Sequence, residues 1–188
     1  MKKGLLIVLS GPSGVGKGTV RQYFMNDASL NLAYSISMTT RPMREGEVHG
    51  RDYFFVSEEE FQTAIAKQDL LEYAQFVGNY YGTPFSYVEK LRNEGKNVLL
   101  EIEVQGMIQI KEKCSDALTI FIIPPTMEEL ERRIRGRRSE PEEVIQKRLG
   151  KAENEMKLVH EYEYVVCNDT PQHAAAQITE IIHKHIEN

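Results

Sequence analysis

The 188-residue chain has no tryptophan and only two cysteines, Cys114 and Cys167. These lie far apart without paired spacing, which excludes a disulfide framework or a zinc-ribbon pattern and suits a reducing, cytoplasmic setting. No run approaches the roughly 18 apolar residues of a membrane helix, so no membrane partner is expected. Lys2 and Lys3 followed by "GLLIVL" look like the start of a leader, but the run is short and ends in "SGPSG" without a small-residue cleavage pattern. Positive charge is scarce too. With 23 Lys and Arg against 28 Asp and Glu, the formal charge of -5 argues against a nucleic-acid backbone binder. The five histidines, His49, His160, His173, His183 and His185, are scattered without ligand spacing, so no histidine metal site is expected.

What is present is an ordinary globular composition, 41% hydrophobic and 27% charged, enough for one domain with small insertions. "LLIVLS" (5–10), "NVLLEIE" (97–103), "LTIFIIP" (118–124) and "YVVCN" (164–168) are short, nearly all-apolar runs, as expected of strands buried on both faces of a parallel sheet. "TVRQYFMND", "GMIQIKEKC" and "PQHAAAQITEIIHKHIEN" read as helices between and after them. The fold class is therefore α/β, a three-layer core with a parallel sheet.

Two segments break the alternation. Residues 34–94 mix short polar strands ("YSISMTT", "RDYFFV") with turns and two helices, one opened by the capping box Ser57-x-x-Glu60 and one running from Thr83-Pro84 to Gly95. This α+β stretch reads as an inserted substrate lobe. Residues 126–156 read as a helical lid of two charged helices with boxes Thr126-x-x-Glu129 and Ser139-x-x-Glu142. The core is then 1–33, 95–125 and 157–188.

"GPSGVGKGT", Gly11, Pro12, Ser13, Gly14, Val15, Gly16, Lys17, Gly18 and Thr19, follows the first strand and opens a helix. Backbone N–H groups freed by small residues can converge on phosphate oxygens, and Lys17 can reach the β- and γ-phosphates, which makes this a P-loop for ATP. Gly18 replaces the hydroxyl residue that usually binds Mg²⁺. Thr19 is expected nearer the α-phosphate, and Mg²⁺ should be held mostly by phosphate oxygens and water. Glu101, at the end of a neighbouring strand, is the candidate to orient that water; its competing reading is an ordinary strand-end acid.

In order along nearly the whole chain, "GPSGVGKGT", "SMTTRPMREGEVHGRDYFFV", "LEYAQFVGNYYGTP", "LLEIEVQG" and "RGRRSEPEEVIQKRL" resemble the motifs of guanylate kinases. The resemblance implies transfer of the γ-phosphoryl group of ATP to GMP on a core with a GMP-binding lobe and a lid. It puts Ser37, Glu72 and Thr83 at the guanine with Glu103 close by, and Arg41, Arg44, Tyr53 and Tyr81 on the GMP phosphate. Arg137 and Arg148 fall to the triphosphate, and Asn168 and Asp169 lie near the adenine.

Chemistry agrees with these assignments. Guanine offers two N–H donors beside one acceptor, so a carboxylate with hydroxyls can read it, and such sites can discriminate by about 10⁴ or more. The planar fork of Arg suits a phosphate. Each residue also has a plainer reading: Thr83 as a helix N-cap, Ser37 as a strand hydroxyl, Asp169 in an Asx turn. Glu72, beside Leu70 and Leu71, needs a buried partner.

On the lid, Glu128–Arg132, Glu129–Arg133, Glu131–Arg135 and Glu143–Lys147 have i,i+4 spacing and read as structural pairs. Arg137 and Arg148 lack such partners, while Arg138 is unassigned. The alternatives are a kinase of this architecture with another small acceptor, and a non-catalytic module binding phosphorylated peptides through the same arginines, which would be expected to lack a complete loop. No reader of the ribose 2′-OH is evident, so dGMP should be accepted. Monomer and homo-oligomer both stay open.

Overall fold

The four apolar runs all lie in one parallel sheet. The computed structural model describes residues 2–136 and 140–188. In chain order its elements are β1 (Leu6–Ser10), α1 (Lys17–Gln22), β2 (Leu32–Tyr34), β3 (Met38–Thr39), β4 (Phe54–Phe55), α2 (Glu58–Ala66), β5 (Leu70–Phe76), β6 (Asn79–Pro84), α3 (Phe85–Asn93), β7 (Asn97–Glu101), α4 (Val104–Lys113), β8 (Leu118–Ile123), α5 (Met127–Gly136), α6 (Glu142–Met156), β9 (Tyr164–Cys167) and α7 (Pro171–Glu187). Among the described residues no helix is long and apolar enough to cross a membrane.

The five-stranded sheet has the order β2-β7-β1-β8-β9, every pair parallel. Alternate residues of a strand face opposite sides. Ile7 and Leu9 accordingly join one buried cluster with Val20, Leu130, Ile145, Ile178 and Ile182, while Leu6 and Val8 join another with Val88, Val104, Met107 and Ile110. Helices thus cover both faces, which is the α/β layering expected from the sequence. β1 is central, and the loop after it lies at the carboxyl end of the sheet between β7 and β8, where open α/β sheets bind ligands.

A second, four-stranded sheet has the order β4-β3-β6-β5. β5 and β6 form an antiparallel hairpin closed by Val77 and Gly78, both at positive φ (49° and 78°), the geometry of a two-residue type I′ turn. Two side chains of α4 reach the backbone of β5, Lys113 donating to the Leu70 carbonyl at 2.6 Å and Gln109 bracketing Tyr73. Gln109 accepts from the Tyr73 N–H and donates to the Tyr73 carbonyl, each at 3.1 Å.

Local expectations meet mixed outcomes. The Ser57/Glu60 capping box is fully formed. At Thr126 only half forms: its hydroxyl accepts from the Glu129 N–H, while the Glu129 carboxylate holds Arg132 and Arg133. Arg132 therefore pairs with Glu129, three residues back, in place of Glu128. Thr83 is not a helix cap; it is a β6 residue, and Pro84 takes the N-cap of α3. α1 ends at Gln22, earlier than the "TVRQYFMND" reading, because the N–H groups of Tyr23 and Phe24 turn back to the carbonyls of Val20 and Arg21. The expected cap at Ser139 lies outside the described residues.

Candidate active site

The loop between β1 and α1 is held from two sides. Gly14 and Gly16 have φ of 87° and 95°, a region open to glycine but costly for other residues. A Cβ on Gly14 would come within 2.7 Å of Ile134 on α5, and one on Gly16 within 2.9 Å of the Asn168 amide nitrogen beyond β9. A Cβ on Gly18 would meet nothing within 4 Å. Gly18 thus faces open space, and its missing hydroxyl has no steric cause. A cleft of about 390 Å³ opens here, lined by Ser13, Gly16, Lys17, Gly18, Thr19 and Glu101 among others.

The Lys17 ammonium donates to the Gly11 carbonyl at 2.6 Å. Burial lowers its pKa, and the carboxylates of Glu101, Glu155 and Glu103 oppose that effect. The Arg21 guanidinium lies 2.9 Å from Glu101 Oε2, yet its angle leaves this buried oxygen without a well-directed hydrogen bond. Arg21 also stacks 4.2 Å over the Tyr34 ring. The structure therefore brings together Lys17, Gly18 and Glu101.

Across the second sheet, Thr83 donates to Glu72 Oε1 at 2.7 Å, and both residues are buried. Burial pushes the Glu72 pKa up against this hydrogen bond. On the carboxylate's other side is Gly106 of α4, where a Cβ would stand 2.9 Å from Glu72 Oε2. Any larger residue there would displace the acid. Ser37, half-buried, accepts the Phe54 N–H on its carbonyl at 2.8 Å.

Arg41 is gripped by Glu47 through both terminal guanidinium nitrogens, at 2.7 and 3.0 Å. Its charge lies 5.4 Å from the Tyr53 ring centre, and Tyr53 meets Tyr81 edge-on at 6.2 Å. Hydrogen bonds from Arg41 and the Arg44 backbone lower the Glu47 pKa to about 2. Arg41, Tyr53 and Tyr81 thus form one cluster, with Arg44 exposed beside it. Glu103 is 70% exposed and paired with Lys151 of α6 at 2.7 Å, and its charge adds to the upward push on the Glu72 pKa.

On the lid segment, Arg148 is not free as its flanks suggest. It binds Glu140 at 2.8 Å and donates to the Ser13 hydroxyl of the loop at 2.9 Å. Arg133, expected to be only a surface partner of Glu129, also donates to the carbonyls of Val15 and Asn168 at 3.2 and 3.0 Å. Asn168 is buried and ties its amide to the Val15 carbonyl at 2.7 Å. Asp169 accepts from Thr170 N–H and faces His173 at 2.8 Å, a carboxylate partner that spacing four apart could have suggested. Asn168, Asp169, Thr19 and Arg133 border a cleft of about 320 Å³. Arg137 and Arg138 lie outside the described residues.

Several contributors escaped the sequence. Glu47 and Gly106 act through contacts distant in the chain or off any period, and carry no local signal. Arg148, Lys151 and Glu155 do share one, an i, i+3, i+7 stripe on α6.

The geometry can be set beside known proteins. The guanylate kinase family model matches residues 3–185. A guanylate kinase of Mesoplasma florum is 54% identical over 180 residues, 96% of this chain and 61% of that protein. One from Streptococcus agalactiae is 52% identical over 96% of this chain and 87% of its own length. The chain spans about three fifths of the length of the Mesoplasma and Mycoplasma relatives it matches. Among solved structures, the guanylate kinase of Anaplasma phagocytophilum superposes with a TM-score of 0.74 at 34% identity, covering 98% of this chain and 87% of that one.

Proposed function

The chain belongs to the guanylate kinase family, and from that premise we propose that it transfers the γ-phosphoryl group of ATP to GMP, giving ADP and GDP. The observation that carries this reading is the buried Thr83–Glu72 hydrogen bond, a hydroxyl and a carboxylate held in the arrangement a base with two N–H donors requires. Adenine would turn its N1 lone pair toward the carboxylate and leave buried polar groups unpaired.

In this reading residues 34–94 bind GMP and residues 126–156 close over the triphosphate. Arg41, Arg44, Tyr53 and Tyr81 receive the GMP phosphate, and Ser37 and Glu103 border the guanine. Glu47 holds the Arg41 fork in place before the phosphate arrives. The loop from Gly11 to Thr19 cradles the triphosphate. Arg148, already on Ser13, and Arg137 follow its γ-phosphate, and Asn168 and Asp169 border the adenine.

A phosphate monoester loses its second proton at a pKa of about 6, so the attacking oxygen is already ionised at neutral pH and no general base is needed. The difficulty is repulsion between two anions, roughly 4 kcal/mol for each pair of unit charges at 4 Å and an effective dielectric of 20. Lys17 and the arginines offset it. The donor set fits Mg²⁺ bound with ATP. Glu101 lines the loop cleft with its Oε2 turned to Arg21, and Gly18 offers no hydroxyl, so Glu101 would hold a metal water through its other oxygen and phosphate oxygens would fill the other positions. When bound, Mg²⁺ neutralises charge on the transferring phosphate.

The test is an acceptor panel with Mg·ATP and coupled detection of ADP. GMP and dGMP should be phosphorylated well above AMP, UMP and sugar phosphates. Preference for any of the latter would defeat the reading.

A further inference from the structure

Side chains from three separate elements meet beside the loop cleft. Tyr34 ends β2 and pairs in register with Leu99 of β7, two residues before Glu101, so the ring and the carboxylate leave the sheet on the same side. That side is the one α1 covers, since Leu99 is buried in the cluster that holds Val20. Arg21 follows Val20 on α1 and reaches both: its guanidinium lies 4.2 Å over the Tyr34 ring and 2.9 Å from Glu101 Oε2. Both members of the ion pair are largely covered, 26% and 18% exposed. A planar guanidinium fixed between a ring and an acid has little freedom, and it passes that restriction to the acid.

The contact divides the two Glu101 oxygens. Oε2 is buried, and Arg21 is the one side chain paired with this carboxylate among the described residues. Glu101 nevertheless lines the loop cleft, so its second oxygen is the one left to meet a ligand there. The one cation among the residues lining that cleft is Lys17, a helical turn before Arg21 on the same side of α1. Without Arg21 the acid would turn to Lys17, the group the phosphates require. The loop also has Gly18 where a metal-binding hydroxyl is usual, in open space. The protein's hold on Mg²⁺ therefore falls to groups acting through water, and these are effective only when their oxygens are aimed.

We propose that Arg21 is a positioning residue of the metal site: stacked over Tyr34, it holds Oε2 of Glu101 so that the other carboxylate oxygen is presented to water on the Mg²⁺ that arrives with ATP. This deepens the transfer reading above and rests on it. The sign of the effect separates the role from simple charge. A guanidinium near a dication repels it, so electrostatics alone would make loss of Arg21 tighten the metal. Loss of an aimed acceptor weakens it. A pair that merely ties α1 to β7 would change stability and leave the metal unaffected.

The experiment measures the Kd of Mn²⁺, a spectroscopic stand-in for Mg²⁺, for the protein–ADP complex by electron paramagnetic resonance, with protein in excess over ADP. Parent, Arg21→Met, Glu101→Gln and the double variant are compared. Glu101→Gln should weaken Mn²⁺ about tenfold and Arg21→Met about threefold. The double variant should match Glu101→Gln alone, because Arg21 acts through that carboxylate. Arg21→Lys keeps the charge without the planar fork and should stay nearer Arg21→Met than the parent. Tyr34→Leu removes the ring and should weaken Mn²⁺ about twofold. Unchanged or tighter Mn²⁺ in Arg21→Met overturns the proposal, as does parent-like affinity in Glu101→Gln or a further threefold loss in the double variant. If Arg21→Met does not fold, parent-like Mn²⁺ affinity in folded Arg21→Lys or Tyr34→Leu overturns it instead. Should the parent transfer nothing to GMP, the function reading fails by itself, and the Mn²⁺ series, which involves no acceptor, still decides the role of Arg21.

Discussion

Thr83 gives its hydroxyl hydrogen to Glu72 at 2.7 Å, with both side chains shut away from solvent. One hydroxyl is a thin complement for a buried carboxylate, which can accept about four hydrogen bonds. The remaining capacity is what a ligand rich in N–H groups would satisfy, and Gly106 keeps the space beside Oε2 from being filled by the protein.

Replacing Glu72 by Gln should raise the KM for GMP about 10- to 100-fold, the worth of a hydrogen bond to a charged group, and leave the KM for ATP within about twofold. Steady-state kinetics with each substrate varied checks this. Unchanged GMP affinity would remove the account of base selection.

The same variant should be more stable than the parent at pH 8. Burial raises the Glu72 pKa in the folded state, so the native protein holds this proton more tightly than the unfolded chain. Its carboxylate therefore costs stability increasingly as pH rises above the unfolded value of about 4.3 and through the folded pKa. The Tm advantage of Glu72→Gln should shrink on acidification toward that value. A difference independent of pH in thermal melts would contradict it.

Lys17→Ala should lower kcat by about 10² to 10³, the scale of losing one preorganised electrostatic contact, with GMP binding within about threefold of the parent by titration calorimetry. Equal loss of both would mean the two regions are wrongly assigned.

Two glycines in one loop should respond oppositely to alanine. Gly16→Ala forces a side chain onto a φ of 95° and against the Asn168 amide, and should destabilise the protein by about 1–3 kcal/mol and weaken ATP. Gly18→Ala enters open space inside α1 and should stabilise by about 0.5–1 kcal/mol. Urea unfolding compares the two directly.

Val77 should tolerate, and gain from, replacement by Asn. It is a β-branched residue at φ 49° and 81% exposed, where Asn-Gly is the favoured pair. Val77→Asn is expected to add about 1 kcal/mol to the unfolding free energy, with kcat unaltered.

How far the chain could be read in advance follows from where its information lies. The strands around Leu6, Val98 and Leu118 announced themselves because burial on both faces demands unbroken apolar runs, whereas β9 carries the same kind of run at the sheet edge with Val165 48% exposed. β2 did not announce itself, being two half-covered residues and an exposed Tyr34 at the sheet edge. The β5–β6 hairpin was obscured by Val at the turn and by an acid amid its inward residues. Lys17 and its glycines were legible because the loop is local. Contacts joining Arg41 to Glu47, Arg133 to Asn168 and Glu72 to Gly106 depend on how separate segments meet, which no local pattern records.

The Gln109 amide that brackets Tyr73 has one more implication. By offering a strand-like donor and acceptor at the margin of the second sheet, it withholds those backbone groups from any neighbouring molecule. A strand of another copy is thereby denied pairing at Tyr73, where a helix-borne amide already occupies the rim.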